Sequence, residues 1–236
     1  MSRLGAVVLA GGLARRMGGV DKGLVPLGGR PMIAYALAAV APRVDAIVVN
    51  ANRNADAYGA LVDVHGGTVV ADRHAGHLGP LAGLAAALHA LDASRVFLCP
   101  CDSPFVAPAL VDRLAEACAA PDVDIAVAHD GERLQPVFCI VERHVLPSLE
   151  TFLASGERKI DRWYAGEAMR AVDCRDLAGS FRNVNTEEER VAAERELALG
   201  RTGPGPAPGR ETAGDGVNVD SEGDAPEDGT READSA

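Results

Sequence analysis

Lysine is nearly absent from this chain: two, Lys22 and Lys159, stand against 21 arginines. Codon bias towards arginine accounts for such an imbalance. It makes the two exceptions informative, because a compact ammonium does work that a planar guanidinium cannot copy. Positive charge is short overall. There are 23 bases against 34 acids, a formal net charge of −11. That balance argues against nucleic acid as the main partner, since phosphate backbones select clustered Lys and Arg. No apolar run approaches the ~20 residues of a membrane span. The opening MSRLGAVVLAGG has one base and a short apolar run broken by Gly11 and Gly12, so it is expected to be a first strand and not a signal peptide. The five cysteines (99, 101, 118, 139 and 174) are odd in number and irregularly spaced. They make no disulfide framework and are expected as reduced thiols of a cytoplasmic protein. Neither common phosphate fingerprint occurs, GxGxxG or GxxxxGK[ST], and there is no internal repeat.

What is present is enough apolar material, 47% of the residues, to bury a core. The charge is uneven. From Arg201 onward nine acids and three bases lie among Gly, Pro and Ala, with no aromatic residue and no leucine. Such a segment cannot bury enough surface to offset the entropy of ordering, so residues 201–236 are expected to be a disordered acidic tail. Removing those nine acids and three bases leaves a net −5 on residues 1–200, read as one domain.

Within that domain, strand-length apolar runs alternate with helical stretches. Strands are expected at Leu4–Ala10, Ala46–Asn50, Thr68–Ala71, Arg95–Cys99, Val123–Ala128, Pro136–Val141 and Met169–Val172. Helices are expected at Pro31–Ala41, Asn54–Val62, Gly79–Leu91, Ala107–Ala119, Glu142–Ala154, Ile160–Tyr164 and Thr186–Leu199. Leu81, Leu84, Leu88 and Leu91 share one helical face, and Thr186 with Glu189 has the spacing of a capping box. The alternation implies an α/β fold, a mostly parallel central sheet with helices on both faces. Ligands of such sheets lie beyond the carboxyl ends of the strands. The polar and glycine-rich segments cluster there.

Leu9–Lys22 (LAGGLARRMGGVDK) follows the first strand. Gly11 and Gly12 allow close backbone approach to an anion, Gly18 and Gly19 give a second turn, and Arg15, Arg16 and Lys22 bring positive charge to one loop. This points to a polyphosphate. Cys99–Val106 (CPCDSPFV) follows the RVFLC strand, and Asp102 is placed for Mg²⁺, which takes one or two carboxylates and completes its shell with phosphate oxygens and water. An N-cap is the plainer role for that aspartate. The Cys-x-Cys pair lacks zinc spacing and reads as ordinary buried thiols. Asn50 and Asp72 end strands at the same rim and serve either the nucleotide or a turn. Gly79 and Gly83 open the most regular helix. Arg133, Arg158, Lys159 and Arg162 could take a second anionic substrate. Trp163 fits either a flat ring or core packing, His129 either a metal or a structural role, and Asn183 and Asn185 either caps or donors to that substrate.

These segments resemble one family. Leu9–Leu24, Val49–Arg53 (VNANR), Gly79–Gly83 (GPLAG), Pro100–Pro104 (PCDSP), His129–Arg133 (HDGER) and Asn183–Glu187 (NVNTE) are similar in order and spacing to the molybdenum cofactor guanylyltransferases. The resemblance spans about residues 4–195. It implies a Rossmann-like nucleotidyltransferase fold and a Mg²⁺-dependent cytoplasmic enzyme. That enzyme would transfer GMP from GTP to molybdopterin, giving the guanine dinucleotide and pyrophosphate. It further implies that Leu9, Ala10, Gly11 and Gly12 hold guanine and ribose, and that Lys22, Arg16 and Gly19 lie at the phosphates. Asn50, Asp72, Gly79 and Gly83 would complete the nucleotide site, and Asp102 would hold Mg²⁺. His129, Asp130, Arg133, Arg158, Lys159, Asn183 and Asn185 would face the pterin. Transient contact with molybdenum-insertion proteins and apo-molybdoenzymes is implied, and neither nucleic acid nor membrane. Rival readings are a molybdopterin cytidylyltransferase or sugar-phosphate nucleotidyltransferase of the same fold, a nucleotide-binding regulator without turnover, and a pterin carrier that docks through its acidic tail.

Overall fold

A computed structural model describes residues 3–10, 13–14, 20–73 and 79–199. These belong to one compact unit. The expected tail, 201–236, lies outside the described residues, as do Gly11, Gly12, Arg15, Arg16, Gly18 and Gly19.

The chain runs β1 (Leu4–Leu9), β2 (Leu13–Ala14), β3 (Val20–Asp21), β4 (Pro26–Leu27), β5 (Arg30–Pro31), α1 (Ile33–Val40), β6 (Ala46–Asn50), α2 (Ala55–Asp63) and β7 (Thr68–Val70). It continues through α3 (Pro80–Ala90), β8 (Arg95–Pro100), α4 (Pro108–Cys118), β9 (Ile125–His129), β10 (Leu134–Glu142), α5 (Leu146–Ala154), α6 (Ile160–Tyr164), β11 (Met169–Asp173) and α7 (Glu187–Ala198). Seven strands form the central sheet, in the order β11-β9-β10-β8-β1-β6-β7. All neighbours are parallel except those of β10. β10 is antiparallel because only four residues, 130–133, join it to β9, and Gly131 turns there with φ +103°. A parallel neighbour would have needed a long crossover.

Side chains alternate across the sheet. Ala6, Val8, Ile47, Val49, Phe97 and Cys99 pack with α1, α2 and α4 on one face. Val7, Val48, Val96 and Leu98 pack with α3, α5 and α6 on the other. Both faces are therefore covered, as the continuous apolar runs imply. α3 is deeply buried: Leu81, Leu84 and Leu88 are fully covered, and Leu91 just beyond its end nearly so. Each such leucine contributes roughly 1.5–3 kcal/mol by leaving water. Among the described residues no helix is long and apolar enough to cross a membrane.

Local expectations shift at three places. Pro31 does not open α1; it pairs with Pro26 in a short hairpin whose turn residues Gly28 and Gly29 both have positive φ, +55° and +80°. The expected helix from Glu142 begins instead at Leu146, because Glu142 still pairs with Arg95 in the sheet and Pro147 suits only a first turn. Residues 134–135 extend β10 beyond the expected Pro136 start, through an irregularity that readmits pairing with β9. The capping box at Thr186 and Glu189 forms as its spacing predicts.

The chain builds β1, β6 and β7 outward in one direction, then returns to place β8 on the other side of β1. The strand order thus reverses between β1 and β8. In open α/β sheets the crevice at such a reversal, beyond the carboxyl ends, is where ligands bind.

Candidate active site at the β1–β8 crevice

Backbone hydrogen bonds fix the floor of the crevice. Ala10 N donates to Asn50 O (2.8 Å), and Cys101 N donates to Leu9 O (2.9 Å). The loops that follow β1, β6 and β8 are thereby held side by side. β3 pairs antiparallel with β2, Leu13 opposite Asp21, before a single 3-10 turn at Lys22–Leu24.

At the start of that turn the Lys22 ammonium meets Asp102, with Nζ donating to Oδ2 at 2.6 Å. The side chains are only 15% and 14% exposed. Lys22 Nζ also donates to Asn185 Oδ1. Residues 80 and 163 positions apart in sequence thus converge on one ammonium. Val184 N donates to Asp102 O (2.9 Å) and Ser103 Oγ to Asn183 Oδ1 (2.6 Å), which staples the NVNT segment onto the CDSP turn. Glu189 of α7 accepts from the backbone N–H of both Asn185 and Thr186, so the last helix sets the position of Asn185. The cap role weighed for Asp102 is not the one found: its Oδ2 accepts from Lys22, and its Oδ1 accepts no hydrogen bond among the described residues.

The second oxygen of Asp102, Oδ1, is buried and has no hydrogen-bond partner among the described residues. Desolvating a carboxylate oxygen without a partner costs energy, and a hard cation is a chemically suitable complement. Among the described residues no group of three or more His, Cys, Asp or Glu could hold a metal. A single carboxylate with ligand oxygens and water completing the shell is an arrangement that Mg²⁺ accepts. The five cysteines are free and buried. Burial pushes the Cys99 and Cys101 thiols up in pKa, away from the thiolate a metal would need.

One side of the crevice is a carboxamide–carboxylate pair. Asn50 Nδ2 donates to Asp72 Oδ1 (2.9 Å), Asn52 Nδ2 donates to Asp72 Oδ2 (2.8 Å), and Asp72 N donates to Asn52 Oδ1 (2.8 Å). Gly83 of α3 lies against this pair. A Cβ at Gly83 would fall 2.4 Å from Asn50 Oδ1 and 2.5 Å from Leu9 Cδ2. Only glycine lets α3 come this close to the ends of β1 and β6. Gly79, one residue before α3, has φ +73° and ψ −163°, a region essentially reserved for glycine.

The remaining expected residues sit elsewhere on the sheet. His129 ends β9, and Asp130 folds the HDGER loop onto itself. Its Oδ1 accepts from Glu132 N and Arg133 N, both at 2.8 Å, and its Oδ2 from Gln135 Nε2 at 2.6 Å. The two backbone donors, with Gln135 assisting, depress its pKa to about 2. His129 Nδ1 accepts from Gly131 N (3.0 Å). This loop lies at the same rim as Asp102, two strand positions from β8, or about 10 Å by strand spacing. Arg158 and Lys159 stand between α5 and α6; Arg158 donates to the carbonyls of Leu153 and Glu157. Trp163 is buried, with Nε1 donating to Ser148 Oγ at 3.4 Å. Of its two readings the structure supports core packing.

Sequence reasoning passed over Asp21. It is buried, and its carboxylate accepts from Tyr58 Oη and from Asn54 Nδ2 (3.0 Å), with Arg53 3.8 Å away. Tyr58 is fully buried on α2, and burial together with that hydrogen bond drives its pKa far above the ordinary phenol value. A charged residue set among apolar neighbours, one position before a rare lysine, was the available signal.

Comparison with known proteins fits this geometry. The family model described as "MobA-like NTP transferase domain" matches residues 6–171. A molybdenum cofactor guanylyltransferase from Shewanella amazonensis is 46% identical over 187 residues, covering 79% of this chain and 93% of that protein. Another from Photobacterium profundum is 46% identical over 183 residues, covering 78% and 91%. The crystal structure of molybdopterin-guanine dinucleotide biosynthesis protein A from Archaeoglobus fulgidus aligns with a TM-score of 0.69 at 25% identity, over 83% of this chain and 99% of that one.

Proposed function

The chain belongs to the family of MobA-like NTP transferases, and on that premise we propose that it transfers GMP from GTP to molybdopterin, forming molybdopterin guanine dinucleotide and pyrophosphate. The observation that carries the site assignment is the Lys22–Asp102 contact at the sheet's reversal point, with an Asp102 oxygen beside it that has no partner among the described residues. The cytidylyltransferase alternative is not favoured, because the relatives at 46% identity are named guanylyltransferases.

The chemistry follows from charge. The nucleophile is the terminal phosphate of molybdopterin, an anion near neutral pH, so no general base is required. The difficulty is bringing two anions together in line. Mg²⁺ held by Asp102 would supply positive charge to the phosphates of GTP when bound. Lys22 supplies a point charge fixed by two acceptors, and Arg16, by sequence, a second cation. Charges aimed in advance at the developing negative charge need no reorganisation during the reaction. Asn50 and Asp72, held rigid by Asn52 and α3, would orient the nucleoside. Asn185 couples the last helix to the phosphate lysine, and the HDGER loop, Arg158, Lys159 and Asn183 would receive the pterin. Correct placement of the two substrates supplies much of the acceleration. The enzyme would act in the cytoplasm, and residues 201–236 would be an acidic tail outside the catalytic domain.

The test is incubation with GTP, Mg²⁺ and molybdopterin, with mass identification of the dinucleotide and a parallel reaction with CTP. Product with GTP but not CTP is expected. Product only with CTP, or GTP binding without product, overturns the reading.

A further inference from the structure

The buried Asp21 cluster lies one residue from Lys22. Water-loving carboxylates are buried only at a cost, which two hydrogen-bond donors and a nearby guanidinium here offset. All three groups come from one short stretch at the start of α2: Asn54 and Tyr58 donate, and Arg53 stands 3.8 Å away. Asn54 is the only non-glycine among the described residues with positive φ (+53°). It occupies the N-cap position of α2 yet makes no side-chain cap. Its amide points to Asp21 instead. An unfavourable backbone conformation and a forgone cap are both directed at this carboxylate, a pattern of strain retained for a site's geometry.

The chain beyond Lys22 is seated by the same tyrosine. A Cβ at Gly23 would fall 2.7 Å from Tyr58 Oη and 3.2 Å from Cys101 Sγ. Lys22 is thus flanked by two residues fixed against α2, while its own side chain leaves for Asp102 and Asn185. Among the described residues, β2 and β3 pair at two positions ahead of it. Meanwhile Asn50 and Asn52 of the same VNANR stretch hold Asp72.

We propose that Asp21, anchored by Tyr58, Asn54 and Arg53, is a positioning residue that fixes the Lys22 ammonium at Asp102, so that the β6–α2 connection sets both the nucleoside side and the phosphate side of the crevice. The proposal rests on the reading of Lys22 as a phosphate ligand, and its test is kept separate from that reading. The chain has two lysines, so selective ¹⁵N labelling gives two ammonium signals, Lys22 and Lys159. In the unliganded protein Lys22, held by two acceptors, should exchange slowly with water and give a signal resolved from that of Lys159.

Asn54→Gly is the informative variant, because glycine keeps the backbone conformation and removes only the amide. It should lower thermal stability only slightly, since relief of the positive φ offsets part of the lost hydrogen bond, shift or broaden the Lys22 signal but not that of Lys159, and lower kcat about 10- to 100-fold, the cost of a small misplacement. Tyr58→Phe and Asp21→Asn should move the same signal, with Asp21→Asn lowering kcat the most. An unmoved Lys22 signal in folded Asn54→Gly and Tyr58→Phe overturns the proposal even if Asp21→Asn fails to fold. A kcat loss that merely follows lost stability overturns it as well. Lys22→Ala probes the other reading: turnover retained there would remove the phosphate role and leave the positioning claim to the spectrum alone.

Discussion

Gly83→Ala sets two physical effects against each other. In a helix interior alanine is favoured over glycine by about 1 kcal/mol, so propensity alone predicts a more stable protein. The added methyl would instead stand 2.4 Å from Asn50 Oδ1, 2.5 Å from Leu9 Cδ2 and 2.9 Å from Asn50 Cγ. All are well inside the ~3.5 Å of favourable contact. Asn50 is 6% exposed and donates to Asp72 and to Val70 O, so it cannot turn aside without losing a bond worth ~1 kcal/mol. Overpacking of this kind costs about 1–3 kcal/mol. The expected net loss is about 1–3 kcal/mol, with displacement of the Asn50–Asp72 pair. Gly59, inside α2, is the control, since a Cβ there meets nothing within 4 Å. Gly59→Ala should stabilise by up to ~1 kcal/mol. Urea unfolding at equal m-value reads both, and GTP titration should show about tenfold weaker binding for Gly83→Ala alone. A Gly83→Ala protein as stable as Gly59→Ala, with unchanged GTP affinity, would refute the argument that α3 is held at closest approach.

Asp102→Asn should keep the fold and the Lys22 contact yet lower kcat at least ~100-fold, the scale of losing one preorganised electrostatic group; circular dichroism and turnover check it together, and near-normal turnover removes the metal role. Lys22→Arg should also fail, because a fork of five donors cannot occupy the space of an ammonium set between Asp102 and Asn185; unchanged kinetics would defeat that claim. For Asp130, the folded pKa of about 2 lies below the ordinary 3.8. Its stabilisation of the HDGER loop is therefore present above pH ~4 and is lost as pH falls towards 2. The amide shifts of Glu132 and Arg133 should titrate with a midpoint near 2, and a midpoint at or above 3.8 would show that Asp130 does not organise the turn.

Much of this protein is written in local pattern. Uninterrupted apolar runs such as AIVVN and RVFLC announce strands buried on both faces, and their alternation with helices dictates a mostly parallel sheet, because each crossover must return over a face. The Thr186–Glu189 spacing fixes the start of α7, since both halves of a capping box lie within four residues. Lys22 and Asp102 stood out by residue type and by their position after strands, and the structure brings the two together.

What the sequence left undecided depends on groups distant along the chain. The dual readings of Asn50 and Asp72 close into one hydrogen-bonded pair only because β6 and β7 lie side by side. The two roles weighed for Trp163 reduce to one when α5 supplies Ser148. Asp21 drew no reading of its own from the sequence, and only the packing of α2 shows it buried and bonded. Local propensity reaches about one helical turn. A lysine, a carboxylate 80 positions later and an asparagine 163 positions later meet because strand order brings their loops to one rim, and no residue by itself encodes that order.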